Sequence, residues 1–101
     1  MATITRDEIK ATIMGKRFRV TTSFSYESKD KCGQALCLGR VALLQKEVSG
    51  FVAAILNQGI EVSSIHNEWL FDDPKLIYVN IQDVDDPLDF ARKVRRALRC
   101  V

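Results

Sequence analysis

The sequence predicts an α+β fold: one domain over residues 1–101, with a four-stranded mixed or antiparallel sheet and helices mainly on one face. Three observations predict it. RFRVTTSFSY alternates apolar and polar residues with the period of a half-buried strand. QKEVSGFVAAILNQG places Val48, Phe51, Val52, Ile55 and Leu56 at helical spacing. The signals then follow the order α-ββ-α-ββ-α, and a helix joining the second and third strands predicts a right-handed crossover.

Each element has its own local reason. Thr5 to Glu8 has the form of a capping box, with Ile4 and Ile9 at the staple positions and Gly15 as a stop. This predicts a short helix over about residues 6–14. The first strand follows, with Phe18, Val20, Phe24 and Tyr26 on one face and Arg17, Arg19, Thr21, Ser23 and Ser25 on the other. The polar stretch 27–33 turns the chain into GQALCLGRVALL, apolar on both faces like a central strand. Gly59 ends the middle helix. Residues 60–69 and 75–82 read as a second hairpin around Phe71-Asp-Asp-Pro74. If neighbours, the strand from Ile60 and the strand over 34–44 run parallel. Asp86-Pro87 supplies an N-cap and a proline at the first helical position of the last helix, which buries Leu88, Phe90, Ala91, Val94 and Leu98.

Composition excludes several classes. A 101-residue chain that is 47% hydrophobic and 28% charged is large enough for one core without staples. A net charge of +2 gives no reason to expect a nucleic-acid or membrane partner. MATITRDEIK has no apolar core of signal-peptide length and no run approaches a membrane span, which predicts a cytosolic protein. Cys32, Cys37 and Cys100 make an odd number and lack zinc-site spacing, so reduced thiols are expected.

Little chemistry is spelled out. Arg92, Lys93, Arg95, Arg96 and Arg99 crowd the last helix, where cations suit the C-terminal dipole and no aromatics interleave as nucleic-acid binding would ask. Asp83, Asp85, Asp86 and Asp89 lack the turn glycine and distal glutamate of a calcium loop and instead meet a helix N-terminus. There is no nucleophile elbow, phosphate loop or paired-histidine motif. Strand alternation groups His66 with Glu68, Ile60, Val62 and Ser64, and across the hairpin with Tyr78 and Asn80. The opposite face, with Ile65, Trp69, Ile77, Val79 and Ile81, is assigned to the helix-covered core. His66, Glu68, Tyr78 and Asn80 are therefore the candidate ligand cluster. A solvated or interface-facing surface explains the same residues without catalysis.

The stretches LLQKEVSGFVAAILNQGIEVSSIHNEWL and PKLIYVNIQ carry a further pattern: Glu47-Val48, Asn57, Gly59-Ile60-Glu61-Val62, Ile65-His66-Asn67 and Pro74. On these residues, over about 39–98, the chain resembles the LppY/LpqO-like family of uncharacterised bacterial proteins. That family's pattern runs through a glutamate-valine helix start, NGIEVTALHNH, and a proline-led strand ending in MHF. The resemblance implies a bacterial source and a fold neighbourhood, and no reaction. It also implies histidines where this chain has Glu68 and Asn80, a set that would suit zinc or copper. Here only His66 remains, beside one carboxylate.

The expectation is a small cytosolic binding or protein-interaction module, without catalysis, cofactor or bound metal. Self-association as a homodimer is expected too, because one helix layer cannot cover both faces of a sheet whose strands over 34–44 and 60–68 are apolar on both sides. The N-terminal helix is the alternative cover. The rival function is a metal-dependent protein or hydrolase-type enzyme using His66 and Glu68.

Overall fold

The computed structural model describes residues 2–99. In chain order the elements are β1 (Ala2–Thr5), β2 (Thr12–Ile13), β3 (Lys16–Arg17), β4 (Thr21–Glu27), β5 (Ala35–Leu44), α1 (Val48–Asn57), β6 (Glu61–His66), β7 (Asp72–Asp73), β8 (Leu76–Asp85) and α2 (Pro87–Leu98). One turn of 3₁₀ helix, Gln45–Glu47, leads into α1. The main sheet has five strands in the order β1-β4-β5-β8-β6, and β3-β2-β7 form a separate three-stranded sheet. Every pairing is antiparallel. The α+β class holds, but the four-stranded sheet and the α-ββ-α-ββ-α order do not.

The expected helix over 6–14 is absent. Thr5 pairs with Thr21 in β1, Ile9 and Ala11 are both buried at the two-residue spacing of extended chain, and Glu8 accepts from Arg6 instead of capping. A helix of nine residues is marginal by itself, so pairing and burial override its capping signal. Met14 (φ 51°) and Gly15 (φ 82°) form a two-residue hairpin turn between β2 and β3. Gly15 is thus a hairpin glycine, not a helix stop. The single strand expected through RFRVTTSFSY is also divided. Phe18 and Val20 join the small cluster on one face of the main sheet, and Phe24 packs against the large core on the other.

β5 is central, as its two apolar faces require. Its second neighbour is β8, paired with it over ten residue pairs, whereas β6 pairs only with β8. β5 and β6 point the same way but β8 lies between them, so the parallel pair is not formed. Length and apolarity decide this: β8 buries Leu76, Tyr78, Val79 and Ile81, and β6 buries no residue fully. Gly39 allows the close packing of β8. A Cβ there would lie 2.8 Å from Ile81 Cγ1 and 3.3 Å from Phe24 Cδ1.

Both helices pack on one face of the main sheet. Phe51 and Ile55 of α1 and Phe90, Val94 and Ala97 of α2 meet Ala35, Cys37, Val41, Leu43, Val79 and Ile81. Gly59 (φ 79°) stops α1, as its sequence position requires. Asp86 Oδ1 caps α2 by accepting from the amides of Leu88 and Asp89, at 2.9 and 3.3 Å. Leu88 and Ala91 are exposed rather than buried, because the buried stripe of α2 runs through 90, 94 and 97. Neither helix is long and apolar enough to cross a membrane. Cys32 is exposed and Cys37 buried, both as free thiols, and burial pushes the Cys37 thiol up; Cys100 lies outside the described residues.

The opposite face is half covered. Ile9, Ala11, Val20, Ala42, Leu76 and Tyr78 form a second cluster, with Phe18, Leu44 and Trp69 against it. The N-terminal segment therefore supplies the cover, though as extended chain. A β-bulge between Val62 and Ser64 corrects the expected parity of β6. Before it, Val62 pairs with Ile81 on the helical side; after it, Ile65 pairs with Val79 on that same side. Ile60 and Val62 thus belong to the helix-covered core, not to the face of His66. Trp69 moves the other way, onto the face of Tyr78.

Candidate functional site

His66 ends β6 directly opposite Tyr78 of β8, and their rings stack at 6.3 Å between centroids with a 27° interplanar angle. Tyr78 is 2% exposed, a floor rather than an exposed group. Its hydroxyl accepts from Trp69 Nε1 at 3.0 Å, and Trp69 meets Phe18 edge to face at 6.3 Å. The guanidinium carbon of Arg40 lies 4.2 Å from the Tyr78 ring centroid, a cation–π arrangement. Arg40 Nη2 also donates to Glu68. Glu68 thus reaches the cluster through an ion pair.

Asn80, two residues beyond Tyr78, pairs with Arg40 on one side and Ser64 on the other. Its side-chain Oδ1 is buried and has no hydrogen-bond partner among the described residues. Ser63 Oγ, in the bulge, donates to the Asn80 carbonyl at 3.1 Å. Asn80 lines a shallow hollow of about 260 Å³ with Ser23, Ser25, Leu38, Arg40 and Ser63. This is the half of the face that the N-terminal segment leaves open.

The structure therefore brings His66, Tyr78, Glu68 and Asn80 to one side of the sheet, joined by a residue the sequence reading passed over. Arg40 is the sole charged residue in GQALCLGRVALL, and a lone arginine in a central strand is the signal that marks it. The serines gave no signal, since Ser23 and Ser25 read as ordinary polar positions of an alternating strand. Among the described residues no group of three or more histidine, cysteine, aspartate or glutamate side chains gathers as a metal-binding set. Nor is a serine or cysteine hydrogen-bonded to His66 among them.

The model of the family described as Domain of Unknown Function (DUF1259) matches residues 1–100. The chain belongs to that family. The DUF1259 match takes in the N-terminal segment that covers half of the site face, so the family unit is wider than the 39–98 stretch. No curated protein and no solved structure matches the chain.

Proposed function

We propose that the chain is a non-catalytic binding module that holds a small polar ligand on the open half of the second sheet face, at Asn80, Arg40 and the neighbouring serines. The observation that carries this reading is Asn80 Oδ1, a buried acceptor without a donor beside a hollow rimmed by hydroxyls. Leaving such an acceptor unpaired costs roughly 1–3 kcal/mol, a cost that a bound donor would remove. The ligand class is accordingly a hydroxyl- or amide-bearing molecule. Asn80 lines the hollow, Glu68 is held by Arg40 and His66 lies against Tyr78 on the same sheet face. These are the positions where the LppY/LpqO-like pattern carries histidines, and on that ground we read DUF1259 here as LppY/LpqO-like. The metal-dependent reading would require Glu68 to leave Arg40.

Titration with small polyols, primary amides and zinc, followed by amide and side-chain NMR shifts, tests the proposal. Polyols or amides should move Ser23, Ser25, Arg40 and Asn80, and Asn80→Leu should abolish the response. Asn80→Leu should also raise unfolding stability by about 1 kcal/mol, since it removes an unpaired buried acceptor. A response confined to another surface, or none, overturns the site. Stoichiometric zinc binding lost in both His66→Ala and Glu68→Ala would put the metal reading in its place.

A further inference from the structure

Residues 48–60, VSGFVAAILNQGI, carry no ionisable side chain in a chain that is 28% charged. They form α1 and the turn after it, yet Ser49, Gly50, Ala53, Leu56 and Asn57 are exposed. The other helix is the opposite case: Asp89, Arg92, Arg95, Arg96 and Arg99 are all on its exposed side. Solvent alone gives no reason for one surface helix to be stripped of charge. Beside α1 runs an apolar groove of about 650 Å³, lined by Val48, Val52, Leu56, Ile65 and Ile77 among others. Leu56 is 57% and Ile65 50% exposed. β6, which supplies Ile65, is the edge strand of the main sheet, so its outer backbone groups have no strand beside them among the described residues.

We infer that this surface is a two-fold interface with a second copy of the chain: β6 pairs antiparallel with the copy's β6, and α1 packs beside the copy's α1. The bulge makes β6 complementary to itself. Because of it, Glu61 and His66 lie on one face, opposite Gln82 and Tyr78, while Val62 and Ile65 lie on the other, opposite Ile81 and Val79. Residues directly opposite in an antiparallel pair share a face. A two-fold axis between Ser63 and Ser64 therefore sets Glu61 against the copy's His66 and Val62 against the copy's Ile65. An unbulged strand would mismatch both pairs, since residues five apart or three apart then point to opposite faces. The acid meets the imidazole and the apolar residues meet each other. The uncharged α1 faces its own image without like-charge repulsion, as an isologous contact requires. The interface and the ligand hollow share β6, whose Ser63 lines the hollow, but the pairing is argued from the bulge and from α1, and neither inference depends on the other.

Light scattering with sedimentation equilibrium tests it. The wild-type chain should give twice the chain mass at micromolar concentration. Leu56→Lys and Ile65→Lys alter exposed side chains, so both should keep the wild-type circular dichroism and give the single-chain mass. Leu88→Lys, on the exposed side of α2, should remain a dimer. Mixing Leu56→Lys with Leu56→Glu should restore a mixed dimer, which an unrelated partner surface would not do. A monomeric wild type, or dimers that survive both lysine substitutions, overturns the interface.

Discussion

Arg40 and Arg6 are both arginines turned against the sheet, and they do different work. Arg40 lies over Tyr78 and holds Glu68, so it orders the rim of the candidate site. Arg6 secures the N-terminal segment: Nη1 and Nη2 donate to the two carboxylate oxygens of Glu47 at 2.6 and 3.0 Å. Glu47 Oε1 also accepts from the Leu44 amide at 2.8 Å. The hydrogen bond from Arg6 is the largest influence holding the Glu47 carboxyl below its usual range, against the opposing effect of burial. Since the folded value lies below the unfolded one, the stability this group contributes is complete above the ordinary glutamate value of about 4.3 and is lost as pH falls through the folded value. Glu47→Gln should cost about 2–3 kcal/mol at pH 7, because it leaves a mostly buried guanidinium with only the exposed carboxylate of Glu8 beside it. Urea midpoints of the two proteins should converge as the pH is taken below 4. A gap that persists at pH 2 would show that packing, not the ion pair, carries the effect. None of this was legible locally, because Arg6 and Glu47 are 41 residues apart.

The stop of α1 and the start of α2 act within a turn and were read correctly, whereas the equally local capping signal over residues 5–8 gave way to strand pairing and burial with distant partners. Gly59 and Asp86 do their work through the backbone groups beside them, so α1 and α2 fall where the pattern puts them. The hairpin of β2 and β3 shows the other case. Met14 holds φ 51° and is 76% exposed, in a turn that also binds its amide to the Phe71 carbonyl at 3.1 Å. A residue with a long side chain pays for that left-handed conformation, whereas asparagine pays less. Met14→Asn should therefore raise stability by about 0.5–1 kcal/mol, read as a higher thermal or urea midpoint. No gain would mean that the Met14 side chain contributes as much as its backbone costs. The bulge in β6 was equally illegible, since EVSSIH carries no glycine or proline to announce it. It is nonetheless what brings Ile60 and Val62 to the helical side along with Ile65, while His66 keeps the side of Tyr78 that alternation gives it.

Across the whole molecule, stability is concentrated where β5 and β8 pair over ten residue pairs between the two hydrophobic clusters. Hydrogen exchange should reflect this. Amides of β5 and β8 should exchange by global unfolding, while those of β2, β3 and β7, strands of two residues each, should open first. Uniform protection across both sheets would contradict the division into a strong core and a small accessory sheet. The α+β class, the central position of β5, both helices and the grouping of His66 with Tyr78 and Asn80 were all present in the order of the residues. Each rests on periodicity or on contacts a few residues apart. The fifth strand, the accessory sheet, the place of β8 between β5 and β6, and the part played by Arg40 came only with the tertiary structure. Their energies lie in pairings between distant segments, and such pairings depend on which strand can bury both of its faces. A local pattern shows that a strand is apolar; competition among all the strands for the centre of the sheet decides its neighbours.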